Sequence, residues 1–228
     1  MLKKLLLGSL VSIACIQTLQ AAGADDPLRT MLIMDKFEIL NNDENSREWE
    51  GSFYVGYDID KLYVYSQGSA TADGLDWSQN ELVYSRAVAP FWDIQAGVAY
   101  DRNSDASRTW GELAVAGLAP YFFETRAALL FNSEGNVGLR LEAEYEMLFT
   151  QQLILTPSFE ADFYTKDDPV MRTGSGLSSL EAGLRLRYEI VREFAPYIGL
   201  TWERTYGGTY DYNPVNETSL LAGIRFWF

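Results

Sequence analysis

Leu180-Glu-Ala-Gly-Leu-Arg-Leu-Arg-Tyr-Glu-Ile190 alternates in character at every step. In an extended chain Leu180, Ala182, Leu184, Leu186, Tyr188 and Ile190 fall on one face, and Glu181, Gly183, Arg185, Arg187 and Glu189 on the other. A strand of a soluble sandwich keeps such a pattern for about five or six residues. Runs of about ten, apolar on one side and charged on the other, fit a tilted strand crossing a bilayer.

Working outward, the pattern recurs on both sides of this stretch. Val137, Leu139, Leu141, Ala143, Tyr145 and Met147 oppose Gly138, Arg140, Glu142, Glu144 and Glu146. Leu153, Leu155, Phe159, Ala161 and Phe163 oppose Thr156, Ser158, Glu160 and Asp162. The final segment puts Leu220, Ala222, Ile224, Phe226 and Phe228 outward, with Ser219, Leu221, Gly223, Arg225 and Trp227 inward. An apolar last strand is expected to pair with the first, Met31–Leu40, and so remove the sheet edge.

Connections alternate between short and long. Short ones are read at Tyr57–Asp60, Val88–Pro90, Leu118–Pro120, Leu148–Thr150 and Arg192–Phe194. Longer polar ones are read at Asn41–Arg47, Thr71–Asp76, Arg102–Ser107, Asn132–Asn136, Lys166–Ser175 and Tyr206–Glu217. Short periplasmic turns and longer external loops are how transmembrane barrels are built. The reading is an all-β chain, a transmembrane antiparallel up-and-down β-barrel of about twelve strands. Both termini then lie on the periplasmic side.

At the amino end, Lys3 and Lys4, the apolar run Leu5–Ile16 and Ala22-Gly23-Ala24 read as a cleaved signal peptide over residues 1–24. A lipoprotein signal acylated at Cys15 is the alternative, weakened by Ser12 three residues before it. The barrel domain then covers residues 25–228, in the outer membrane of a Gram-negative cell and in contact with its lipid. Cleavage removes two of the 18 basic residues and none of the 32 acidic ones, leaving 16 against 32, a net charge of −16. That balance argues against a nucleic-acid partner, whose phosphates call for Lys and Arg.

The chain has no histidine, and its single cysteine, Cys15, lies in the signal. The commonest general base, the commonest metal ligand and any thiolate nucleophile are missing from the barrel. The chain is therefore read as not an enzyme. Two constellations remain. Inward charges are expected to form a lumen network of Glu124, Arg126, Arg140, Glu142, Glu144, Glu160, Asp162, Glu181, Arg185, Arg187, Glu189 and Arg225. Thioethers are soft ligands suited to Cu(I), which makes Met31, Met34 and Met171 the candidate metal residues. Met31 and Met34, three apart, face opposite ways on an undistorted strand and could share an ion only across a bulge.

Several longer blocks carry a family likeness. They include Tyr84-Ser-Arg-Ala-Val-Ala-Pro-Phe-Trp-Asp93, Gly117-Leu-Ala-Pro-Tyr-Phe-Phe-Glu124 and Arg140-Leu-Glu-Ala-Glu-Tyr-Glu146. Thr150-Gln-Gln-Leu-Ile-Leu155, Lys166-Asp-Asp-Pro169, Gly174-Ser-Gly-Leu-Ser-Ser-Leu-Glu181 and Arg185-Leu-Arg-Tyr-Glu189 belong with them. So do Arg192-Glu-Phe-Ala-Pro-Tyr197, Trp202-Glu-Arg204 and Arg225-Phe-Trp-Phe228. Together they resemble the copper resistance protein B family of the outer membrane, from about Asp26 onward. The resemblance implies a protein of copper resistance and homeostasis that binds or exports copper ions, in company with a periplasmic copper-handling protein. Many members carry a long Met- and His-rich segment before the barrel. Here the signal runs almost directly into Asp26-Pro-Leu28, so a dense Cu(I) buffer is not expected. The alternative function is a passive channel or structural barrel without metal specificity.

Overall fold

The computed structural model describes residues 26–42 and 45–228. The signal segment read over residues 1–24, and the loop acids Asp43 and Glu44, lie outside the described residues. The strands are β1 (Arg29–Leu40), β2 (Arg47–Gly56), β3 (Asp60–Thr71), β4 (Gly74–Ala89), β5 (Trp92–Asn103) and β6 (Ser107–Ala119). They continue as β7 (Phe123–Phe131), β8 (Val137–Glu144), β9 (Met147–Leu148), β10 (Leu153–Tyr164), β11 (Gly176–Tyr188), β12 (Phe194–Thr205) and β13 (Asn216–Trp227). The two residues of β9 extend the line of β8 along β10, so twelve strands ring the molecule.

Each strand pairs antiparallel with the next, and β13 returns to pair with β1. No edge is left, which is what a sheet surrounded by hydrocarbon requires, because lipid offers no hydrogen bonds to a free backbone group. The seam is completed beyond the strand itself: Phe228 N–H donates to Leu32 O at 2.8 Å, and Leu32 N–H donates to Phe228 O at 2.9 Å.

The alternation places side chains inside out relative to a soluble protein. Phe37, Ile39, Ile198 and Leu220 are each more than half exposed on the outer wall, while Gln95 and Glu112 are among the most deeply buried side chains. Exposed apolar residues of this size are costly in water and favourable against acyl chains. The inner wall mixes these polar groups with small or apolar residues such as Ala99, Ala114, Ala128 and Val83.

One irregularity controls where the charges of β1 point. Met34 pairs with Gly51 and Lys36 with Glu50, so Asp35 is an extra residue opposite β2. A residue is also gained against β13, where Met34 faces Phe226 and Glu38 faces Gly223. This bulge turns both Asp35 and Lys36 into the lumen and resets the alternation beyond them.

The long connections gather at one end. Here the sequence expectation needs two corrections: Thr71–Asp76 is not a long loop, since β3 and β4 are joined by Ala72 and Asp73 alone, and Arg102–Ser107 shrinks to Ser104, Asp105 and Ala106 between β5 and β6. A two-residue hairpin fits because β4 begins at Gly74, at a φ of 135° that a side chain rarely adopts. The Lys166–Ser175 loop packs against α1 (Gly207–Tyr212). Gly174 N–H donates to Thr209 Oγ1 at 2.7 Å, and a Cβ on Gly174 would lie 2.6 Å from Gly208 backbone, so only glycine permits this approach.

Candidate functional site

The lumen is the site, and two clusters of ion pairs occupy its walls. On the first wall, Arg126 of β7 donates to Glu81 of β4 at 2.5 Å, to Glu112 of β6, to Gln95 of β5 at 3.2 Å and to Glu142 of β8 at 3.4 Å. Its guanidinium carbon lies 4.8 Å from the centre of the Tyr65 ring. Arg140 of β8 reaches the other oxygen of Glu81 at 3.2 Å, Asp101 at 2.6 Å and Asp162 at 3.7 Å. Planar guanidinium forks suit such shared carboxylates, and in a buried site both partners must be present.

On the second wall, Arg185 of β11 grips both oxygens of Glu38, at 2.7 and 3.0 Å, and donates to Ser158 at 3.0 Å. Tyr197 OH donates to the same Glu38 at 2.8 Å. Arg185 lies 3.8 Å from Glu181, which accepts from Thr201 at 3.1 Å. Lys36 stands apart from both forks. Its ammonium lies 2.7 Å from Glu50 on the adjacent β2 and 2.7 Å from Glu160 on β10, with β13, β12 and β11 between along the wall. Towards the short-turn end, Arg187 binds Glu146 at 2.5 Å and Glu189 at 3.6 Å, while Arg225 binds Asp35 at 3.0 Å.

The structure thus pairs several of the residues singled out in the sequence with one another: Arg126 with Glu142, Arg140 with Asp162, Arg185 with Glu181 and Arg187 with Glu189. Glu160 is held by Lys36, and Arg225 by Asp35. Glu124 and Glu144 line the cavity at the short-turn end without entering an ion pair among the described residues. The closest partners came from elsewhere: Asp35, Lys36, Glu38, Glu50, Glu81, Asp101 and Glu112. The first three lie at the bulge, where a fixed two-residue period fails. The last three sit among small and apolar inward residues, and a lone acid inside an apolar strand, as Gly111-Glu-Leu113, was the signal available.

The three methionines are not brought together. Met31 faces Tyr54 and Met34 faces Gly51 in unbroken register, so they project to opposite faces; the bulge falls just after them and cannot unite them. Met171 lies at the other end of the barrel, in the Lys166–Ser175 loop, beside Trp77, Tyr164 and Thr173. There Arg108 donates to Asp168 at 2.5 Å and Met171 N–H donates to Asp168 at 3.1 Å. Partial burial pushes the Asp168 carboxyl up, but the Arg108 and backbone hydrogen bonds outweigh it and hold the group below the ordinary 3.8. Among the described residues no three carboxylates converge as a metal cluster.

Between the walls the lumen is partly open. A cavity of about 440 Å³ at the short-turn end is lined by Asp35, Glu50, Glu124, Glu142, Glu144 and Glu160 against Lys36, Arg126 and Arg225. A second, of about 210 Å³, shares Glu160 with it and continues past Asp162, Glu181 and Glu203. A third, of about 500 Å³, shares Asp76, Trp77 and Glu203 with the second and opens among the long loops near Glu48 and Glu217. Acids outnumber bases along the whole series.

A closed twelve-strand ring, apolar outside and charged within, defines an outer-membrane β-barrel. Among solved structures the NanC porin matches 86% of this chain and 98% of its own, with a TM-score of 0.56 at 13% identity. The KdgM porin matches 88% and 99%, with a TM-score of 0.50 at 11% identity. These likenesses concern the fold alone. Sequence comparison goes further. Residues 28–228 match the family described as copper resistance protein B precursor (CopB). Copper resistance protein B of Escherichia coli is 38% identical over 210 residues, 90% of this chain and 71% of that protein. The copper resistance protein B homolog of Pseudomonas syringae pv. tomato (strain ATCC BAA-871 / DC3000) matches to the same extent, 38% over 210 residues. The chain belongs to the copper resistance protein B family.

Proposed function

We propose that this barrel moves or holds copper ions at the outer membrane as part of copper homeostasis, with copper as its cargo rather than as the cofactor of a reaction. Family membership supports the copper role, and the observation that carries the chemistry is the acid-rich series of cavities through the lumen. Carboxylates are hard, charged oxygen ligands and suit Cu(II) better than Cu(I), for which thioethers and thiolates are preferred. An acid-lined lumen concentrates any cation by the sum of its field. The reading is of a non-enzymatic protein, working with a periplasmic copper-handling partner that delivers or receives the ion.

The test is genetic and direct. Deleting the gene, with related copper proteins also removed, is expected to lower copper tolerance, and the intact gene restores it. Unchanged growth and unchanged cell-associated copper would overturn the proposal. A second reading, a passive channel without metal specificity, is favoured by the linked cavities taken alone. Ion currents indifferent to copper, with no copper phenotype, would select it.

A further inference from the structure

We propose that Lys36 is the gate of a cation passage, its ammonium occupying the place between Glu50 and Glu160 that a permeating cation takes when the lysine swings aside. Three observations carry this. First, the cavities at the two ends meet at Glu160, and a smaller cavity of about 90 Å³ beside that junction is lined by Glu50, Gln67, Gln79 and Glu142. The Lys36 bridge therefore stands at the neck of the series. Second, the two carboxylates held by Lys36 come from different walls, β2 and β10, so their separation is spanned by the ammonium alone, at 2.7 Å to each. Third, the guanidiniums are each fixed by two or more carboxylates: Arg126 by Glu81, Glu112 and Glu142, Arg140 by Glu81, Asp101 and Asp162, and Arg185 by Glu38 and Glu181, which leaves Lys36 as the one flexible ammonium among these charges.

The chemistry of the side chain fits the role. Lysine carries a compact point charge on a flexible four-carbon stem, unlike the rigid fork of arginine. Two carboxylates facing each other across a neck form a cation site, and a tethered ammonium satisfies it without metal. An entering cation, univalent or divalent, offers positive charge of its own and competes for the same oxygens. Rings of acidic side chains select cations in this way, while the surplus acids on both sides of the neck turn anions back. The inference goes beyond the copper reading, because it concerns how any small cation crosses.

Planar-bilayer recording of the refolded barrel under a KCl gradient tests it in the absence of copper, so its failure would leave the copper reading standing. Lys36→Met is expected to raise conductance several-fold over wild type, with a reversal potential on the potassium side. Adding Glu50→Gln and Glu160→Gln to that variant is expected to keep the conductance and move the reversal potential towards zero. A mere strut would cost stability on removal and leave conductance alone. Conductance of Lys36→Met equal to wild type, or chloride-selective current through any of these barrels, would overturn the proposal. Lys36→Gln, which keeps a polar group in the neck, serves as the second variant if the methionine form does not refold; silence of that variant as well would also overturn it.

Discussion

Phe228 and Leu32 exchange two backbone hydrogen bonds, at 2.8 and 2.9 Å, and so fasten the last residue of the barrel to its first strand. Removing Phe228 leaves the Leu32 amide and carbonyl without partners beside lipid, where an unsatisfied backbone group costs several kcal/mol. Deletion of Phe228 is expected to slow assembly and to lower the temperature at which the barrel loses its compact, heat-modifiable migration on gels. A deletion variant that assembles and melts like wild type would contradict the closure described.

The Glu38–Arg185 pair gives a second prediction. Arg185→Met leaves Glu38 buried with only Tyr197 as a donor, and breaking a buried pair from one side costs about 3–5 kcal/mol. Denaturant unfolding of the refolded barrel should show that loss. Glu38→Gln combined with Arg185→Met removes the stranded charge and should recover a large part of it. A double variant as unstable as the single one would assign the cost to packing rather than to charge.

At the loop end the prediction concerns pH. Folded Asp168 binds its proton less readily than the unfolded chain does, because Arg108 and the backbone amides favour the carboxylate. Its stabilising contribution is therefore fully present above the ordinary value of 3.8 and is lost as pH falls through the lower folded value. Hydrogen exchange in the Asp168–Thr173 turn, corrected for the intrinsic effect of pH, should rise only in that acidic range. Asp168→Asn should raise exchange at neutral pH and abolish the step; a step that survives the substitution would assign it to another group.

The methionines yield a prediction of no effect. Met31→Leu with Met34→Leu alters one residue on each face of β1, a register that sets the two thioethers on opposite sides of the strand. Copper affinity of the refolded barrel should match wild type for Cu(I) and Cu(II) alike. A clear loss of Cu(I) affinity would mean that β1 rearranges on binding.

The class of fold was legible because lipid and lumen impose opposite demands on alternate residues, and Leu180–Ile190 obeys both over its whole length. The even strand number and the closure of β13 on β1 followed from the same rule. What escaped was set by departures from it. Glu38 was hidden because the extra residue Asp35 shifts the period, and only pairing with β2 and β13 shows where the shift falls. Glu81, Asp101 and Glu112 were hidden because much of the inner wall of β4–β6 is small or apolar, which blurs the contrast between faces. Which acid meets which arginine depends on shear across strands far apart in sequence, as Arg126 and Glu81 illustrate.

The bulge at Asp35 also determines how this segment can tolerate changes of length. Loss of one residue there would restore a strict two-residue period from Met31 to Leu40. Residues beyond the lesion would keep their faces, with Glu38 still in the lumen and Phe37 and Ile39 still on hydrocarbon, whereas loss of one residue elsewhere in the strand would exchange them. Loss of two residues elsewhere in the strand would preserve the faces and merely shorten the span. Natural or engineered variants of β1 should therefore gain and lose residues in pairs, except at this single position.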